Sequence, residues 1–497
     1  MKRPAILLAF CAALLAAEPL VAQSPALAEK SEQARALMAA AKYEEAVPLY
    51  RELVRALPGN TGLELNLGLA LHMSGREKEA IPQFERVLKA EPASLPANLY
   101  LGYTYLSLGQ PVPAVAPLER AVRAAPDDQD ARESLAGALL ATDQFAGAAE
   151  QFHRLAGMAG GSAPAWYGLG RSYQALAQQS FDRLGKLAAG SGYWLALAAD
   201  ARLKDQQLSS AFYLYRQALD KMPKLRGAHA ALAEIYGKTG HADWGATETG
   251  REKQLGPPDC GVDPLECDFV ARRYEQVVSA PAGTPDALFW KTKAYNELAV
   301  LAFAHLGEHQ DSAEFHELMA AVHSGEGQSR QAVEEWQQAY QLSGRDPGIG
   351  VQLAIATIDI KDYPGAQKLA EDLLQRQPDS AELRYVLGYA LLGRQEPPKA
   401  IAELETALRL DPKLLQAHQA LAQALLQAGQ SAQAIPHLKA ALPLDKDGSL
   451  HYQLARAYQS AGQTALAQAT LETYRKMQEA AAEERQSTME EVKISPP

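Results

Sequence analysis

The chain has 497 residues, of which 47% are hydrophobic and 22% charged, enough to bury more than one core. A formal charge of −11, with no basic run, gives a field that repels phosphate backbones and argues against a nucleic-acid partner. Beyond the N-terminus no segment approaches the roughly 20 consecutive apolar residues of a membrane-crossing helix, so nothing in the sequence requires membrane association.

Residues 1–22 have the layout of a secretory signal peptide: Met1-Lys2-Arg3, an apolar run from Ala5 to Ala17, then Leu20-Val21-Ala22 with cleavage expected near Ala22. Export to the periplasm or the extracellular space is the corresponding expectation. An uncleaved anchor is the alternative.

From there a 34-residue period governs the chain. Ala46, Ala80, Ala114 and Ala148 stand 34 apart, and Gly68, Gly102 and Ala136 lie twelve residues before the last three. Pro58, Pro92 and Pro126 follow the alanines by twelve. Such spacing predicts one antiparallel helix pair per unit, with small residues where the two axes cross closest and larger ones such as Leu67, Leu101 and Leu135 beside them. Proline ends the second helix, and Gly75 and Gly109 occupy the turn between the two. The unit starting at 163 is shorter. Its Tyr173, Leu176, Phe181 and Leu184 recur 122 residues later as Tyr295, Leu298, Phe303 and Leu306, which reads as a duplicated module.

Between these two copies, residues 256–284 contain Gly256-Pro257-Pro258, Cys260, Cys267 and Pro281-Ala282-Gly283 and fit the period poorly. They are the expected joint between an N-terminal helical half, 23–255, and a C-terminal half, 285–481. In an oxidising compartment Cys260 and Cys267 form an even pair that reads as a local disulfide contributing roughly 2–3 kcal/mol; two reduced thiols are the alternative. The period then resumes with Ala332, Ala366, Ala400 and Ala434, preceded by Ala320, Ala354, Gly388 and Ala422. A charged stretch from Met477 to Glu491 is expected to cap the last unit, within a tail of 482–497 whose final residues, Ile494–Pro497, are expected to fray.

Residues 61–94 (Leu67-Gly68, Leu71, Gly75, Ala80, Phe84, Pro92) and 95–128 (Leu101-Gly102, Tyr105, Gly109, Ala114, Ala121, Pro126) show the pattern nearly complete, and the chain resembles the tetratricopeptide-repeat family. Units begin near 27, 61, 95, 129, 163, 192, 226, 285, 313, 347, 381, 415 and 448, almost the whole chain after the leader. The resemblance implies an all-α solenoid of about 13 stacked helix pairs, some irregular. It also implies a non-catalytic scaffold or co-chaperone that holds other proteins or peptides against a concave wall, with no cofactor.

In each unit the seventh, eighth and eleventh residues pack on the neighbouring helix, which turns the fifth, ninth and twelfth toward that wall. These slots hold Leu65, Leu69 and His72; Leu99, Tyr103 and Leu106; Val351, Ile355 and Ile358; and Tyr385, Tyr389 and Leu392. They are either an apolar interaction surface or internal core. Gln419, Gln423 and Leu426 fill the slots of the unit at 415, where the glutamines are a peptide-binding stripe or an ordinary solvated face.

Two strings invite other chemistry. His305-Leu306-Gly307-Glu308-His309 matches the H-x-x-E-H pattern of zinc hydrolases, which needs both imidazoles on one uninterrupted helix; Gly307 points instead to a helix end. Gly344 to Gly350 is glycine-rich but has no G-K-[ST] after it, and reads as a linker. No length of chain is left over for a separate catalytic domain, so no catalytic residue and no metal ligand is assigned. A spacer without a specific ligand remains a further alternative.

Overall fold

A computed structural model describes residues 25–158, 161–491 and 494–497; the expected signal peptide at 1–22 lies outside them. Among the described residues the regular structure is entirely helical. The first helices are α1 (Pro25–Ala39), α2 (Tyr43–Ala56), α3 (Thr61–Met73), α4 (Glu77–Ala90), α5 (Leu95–Ser107), α6 (Pro111–Ala124), α7 (Gln129–Ala141), α8 (Phe145–Ala156) and α9 (Ala163–Ala188). Then come α10 (Gly192–Lys204), α11 (Leu208–Lys221), α12 (Ala228–Lys238), α13 (Ala242–Gln254), α14 (Pro264–Val270), α15 (Tyr274–Ser279) and α16 (Pro285–Leu306). The remainder are α17 (Ala313–Gly325), α18 (Ser329–Leu342), α19 (Pro347–Asp359), α20 (Tyr363–Arg376) and α21 (Ala381–Gly393). The last five are α22 (Pro397–Leu410), α23 (Leu415–Gln427), α24 (Ser431–Ala441), α25 (Ser449–Ser460) and α26 (Thr464–Glu491).

The small residues stand at the close crossings. Ala46, Ala80, Ala114, Ala148, Ala366, Ala400 and Ala434 have no exposed surface. Opposite them, the rings and branched tips of the second helices press onto bare backbone. A Cβ added at Gly68 would lie 2.7 Å from the Phe84 ring, at Gly102 2.5 Å from Leu118, and at Gly388 2.6 Å from Leu404. At these three crossings glycine is therefore a steric requirement, while Ala136, Ala354 and Ala422 hold the same slot in other units. The turn inside each pair has its own rule. Its fifteenth residue is left-handed whatever its identity: Gly75, Gly109, Gly327 and Gly429, but also Ala41, Asp143, Gln206, Lys361 and Gln395 at φ between 57° and 64°.

The units at 163 and 285 are not helix pairs. Each is one long helix, α9 and α16, and the two lie antiparallel against each other: Tyr173 packs on Tyr295 with centroids 6.0 Å apart, and Trp166 stacks on His305 at 4.4 Å. A Cβ at Gly170, in the slot that elsewhere receives the second helix of the same unit, would lie 2.4 Å from the Phe303 ring. So α16 supplies the partner that α9 lacks in sequence. The recurring aromatics expected to mark a duplicated module are the facing sides of this pair.

By contact the chain groups into two units, 25–183 with Leu265–His309, and Leu184–Pro264 with Gln310–Pro497. This differs from sequential halves meeting at 256–284. The physical reason is the aromatic seam just described, which ties α16 to the N-terminal helices; Ala302 of α16 lies in one buried cluster with Leu135, Phe152 and Leu169. A second difference is the segment Ile494–Pro497. It does not fray: the Tyr236 hydroxyl donates to the Ser495 carbonyl at 2.6 Å.

One recurring interaction has no counterpart in the small-residue pattern. In many units the fourth residue reaches the second helix of that unit, and in several the carbonyl six residues earlier. Arg384 Nη1 donates to Glu403 at 2.7 Å, His316 meets Glu335 at 2.6 Å, and His229 meets the fully buried Glu248 at 2.5 Å. Asn98 donates to the Pro92 carbonyl at 3.0 Å and accepts from Arg120 at 2.7 Å. In the unit at 415 both positions are histidine, His418 and His437, whose Nδ1 atoms are 2.9 Å apart, with His418 Nε2 3.2 Å from the Pro412 carbonyl. Burial, and then the neighbouring His418, push the His437 imidazole below the ordinary histidine range, while Glu405 opposes them.

Three outcomes follow from this packing. Gly102→Val should destabilise the fold by about 1–3 kcal/mol through the clash with Leu118, lowering the urea midpoint. Lys361→Gly should raise it, relieving about 0.5–1 kcal/mol of left-handed strain. Because the His437 proton affinity is depressed in the fold, its contribution is fully present above the ordinary histidine pKa of about 6.5 and is lost as pH falls through the lower folded value. Urea melts from about pH 7.5 down to about pH 5 should therefore show a steeper loss of stability in the wild type than in His437→Asn.

Candidate functional site

The inner-wall residues sort by unit. Leu65, Leu69, Leu99, Tyr103 and Leu106 lie on α3 and α5 in the first unit; Val351, Ile355, Tyr385, Tyr389 and Leu392 lie on α19 and α21 in the second. None of the ten is exposed. Leu65, Val351 and Leu392 are buried, at 7%, 5% and 3% exposure, and the other seven are half-buried. The cause is that first helices of successive pairs, α3 with α5 and α19 with α21, touch along this wall, so each side chain is shared by two helices. The wall is thus apolar, partly internal and partly accessible. Leu69 sits at the edge of one buried cluster, Leu99, Tyr103 and Leu106 at the edge of the next, and Ile355, Tyr385 and Tyr389 at the edge of a third.

Aromatic packing fixes this surface. The Tyr100 ring meets His72 and Tyr103 edge-on, each at 5.8 Å, and His72 Nδ1 is 3.0 Å from the Thr104 hydroxyl. In the second unit Tyr385 and Tyr389 are 6.0 Å apart. Burial, with Tyr389 and Asp359 adding, pushes the Tyr385 phenol up to about 12; burial and the carboxylates of Asp128 and Asp130 raise Tyr103 as well. Both phenols stay neutral and serve as rigid apolar faces with a polar tip. On α23, Gln419 and Gln423 are exposed and Leu426 is half-buried, so the wall turns polar in that pair.

The His305–His309 string is split by a helix end. Its first two residues close α16; Gly307 is the C-cap, donating to Phe303 and Ala304, and Glu308 and His309 follow in the turn. The His305 ring is stacked on Trp166, and its Nδ1 is 3.6 Å from Glu308. This removes the single helical face that the zinc-hydrolase arrangement needs. Nearby in sequence, His316 is engaged by Glu335 and His323 by Gln328 at 2.7 Å. Among the described residues no three His, Cys, Asp or Glu side chains are grouped to hold a metal ion.

In the glycine-rich stretch at 344–350 the Asp346 carboxylate accepts from the Gly348 amide at 2.9 Å and caps α19. The amides that a phosphate would use are already taken. Cys260, in the loop after α13, and Cys267, within α14, are each disulfide-bonded.

Sequence reasoning passed over Arg132. It lies on α7, 3% exposed, beside a cavity of about 710 Å³ also lined by Arg123, Phe145, Gln151 and Arg154. Its Nη1 donates to Gln151 at 2.6 Å and its Nη2 to the Pro126 carbonyl, both neutral acceptors, where the equivalent Arg384 has the Glu403 carboxylate. Burial, and next Arg154, hold this guanidinium below its usual range. The recurrence of a polar residue at the fourth slot was the sequence signal available.

Two family models, each described as a tetratricopeptide repeat, match the sequence, one at residues 31–96 and 351–414 and the other at 71–139. No curated protein matches it. Solved structures that are similar include MamA from Desulfovibrio magneticus, at 19% identity and a TM-score of 0.31, over 34% of this chain and 97% of that one. A thermophilic TPR protein of Thermus thermophilus is similar at 20% identity and a TM-score of 0.30, over 36% of this chain and 99% of that one. Repeats of this kind generally build protein–protein interaction scaffolds rather than catalytic domains. With its 34-residue helix pairs and family-model matches spanning 31–139 and 351–414, the chain carries tetratricopeptide repeats in both its N-terminal and its C-terminal regions.

Proposed function

We propose that the protein is a non-catalytic scaffold or co-chaperone of the bacterial cell envelope, which holds a partner protein or peptide against the inner wall of its helix pairs, α3 and α5 in one unit or α19 and α21 in the other. The observation that carries this reading is that the half-buried apolar residues of each wall, Leu69, Leu99 and Tyr103 in one unit and Ile355, Tyr385 and Tyr389 in the other, keep part of their surface accessible. Tyrosines held neutral and ringed by leucines suit the centre of a protein interface. Export is supported by the leader-like sequence at 1–22 and by the disulfide-bonded state of Cys260 and Cys267, which persists in oxidising compartments. The acidic charge of −11 disfavours a nucleic-acid partner.

A metallohydrolase is disfavoured by the helix end at Gly307, which separates His305 from Glu308 and His309. A spacer without a ligand gives no reason for the aromatic row. Leu69→Ser and Tyr103→Ser should each weaken partner capture by about 1–3 kcal/mol while leaving the helical circular dichroism intact. The check is affinity recovery from an envelope extract with wild type and the double variant side by side; recovery of the same proteins in the same amounts by both forms would defeat the groove reading.

A further inference from the structure

The run α10–α13 ends at Gln254, after which the chain passes through the irregular residues 255–263. Tyr236, at the eleventh slot of its last helix pair, has no exposed surface. Its ring packs edge-on against Phe212 and Trp244, both at 5.6 Å, and Trp244 stacks on His241 at 4.0 Å. A buried phenolic proton needs an acceptor. It finds one in the Ser495 backbone carbonyl, 259 residues away in sequence, with Ile494 and Pro497 half-buried beside it.

Recognition through a carbonyl is blind to the Ser495 side chain, so selectivity has to come from its neighbours. Pro496 biases Ser495 to an extended conformation, which presents that carbonyl outward. Pro497, which is half-buried, carries no amide N–H and is covered without stranding a donor, whereas Pro496 is exposed and acts through its bias on Ser495. A short extended segment of an apolar residue, serine and two prolines is thus matched to a surface of aromatic rings with one hydroxyl donor.

We infer that α12 and α13 form a docking surface for an extended apolar–Ser–Pro–Pro segment, occupied in this chain by its own Ile494–Pro497, and that a partner bearing such a segment binds by displacing it. The tethered occupant competes at a high effective concentration, so the surface is closed by default and opens to a partner present in excess or with added contacts. This surface uses none of the inner-wall residues and does not rest on the groove reading.

The test uses a fluorescent peptide corresponding to residues 490–497, followed by anisotropy on the full chain, on a chain ending at 493, and on the latter with Tyr236→Phe. The shortened chain should bind at least about tenfold more tightly than the full chain, because the internal competitor is gone. Tyr236→Phe should weaken that binding by roughly three- to tenfold, the loss of one hydrogen bond, and a peptide with both prolines replaced by alanine should bind more weakly still. Equal binding to full and shortened chains, or none to a shortened chain with unchanged helical signal and melting temperature, overturns the proposal. Should the shortened chain fail to fold, hydrogen exchange on the full chain with Pro496→Ser and Pro497→Ser decides: faster exchange across 228–254 supports the docking, unchanged exchange refutes it. A full chain that is dimeric by light scattering and becomes monomeric on shortening would mean that the segment docks on a second copy, which also overturns it.

Discussion

Everything in this architecture depends on helices approaching closely enough for a side chain of one to press on the bare backbone of the other. Phe84 over Gly68, Leu118 over Gly102 and Leu404 over Gly388 are the same contact made three times. At such distances a single methyl group is an overlap, so the composition of these slots is dictated by sterics and the rest of the repeat is arranged around them. Alanines at 46, 80, 114 and 148, on the second helices, are fully enclosed. A period of 34 is the chain length needed to return to that crossing.

The same contact explains one place where the period breaks. α9 keeps the glycine that would admit a bulky residue, but no second helix follows it; Phe303 of α16 fills the gap instead. The intervening 96 residues between Ala188 and Pro285 hold α10–α15, so a sequence-local rule is satisfied by a distant segment. That substitution draws 265–309 into the contact unit of the N-terminal helices.

The polar contacts follow a second logic. At the fourth slot the residue identity varies freely among Lys30, Glu64, Asn98, Arg132, His229, His316, Arg384 and His418, while the geometry is retained: a reach to the second helix and, in several units, to the preceding proline carbonyl. Each choice sets a different local electrostatics, from the buried Glu248, held by His229 and by Arg251 at 2.7 Å, to the histidine pair at 418 and 437. The inner wall shows the complementary behaviour, with identity kept apolar and burial tuned by how near the next first helix comes.

Sequence alone determined the repeat length, the helical class, the crossing residues, the turn positions and which faces are apolar, because each of these is enforced within some 34 residues by helix geometry and by the volume of one side chain. It named the inner-wall slots as a set but left their exposure undecided, since burial there depends on the neighbouring pair. Tertiary structure alone decided that α9 and α16 are partners, that Tyr236 receives Ser495, that His305 spends its ring on Trp166 and that Arg132 is held by neutral acceptors. The long-range contacts among these join residues whose separation matches no period, and a local pattern carries no record of which distant segment will fill a space it leaves open.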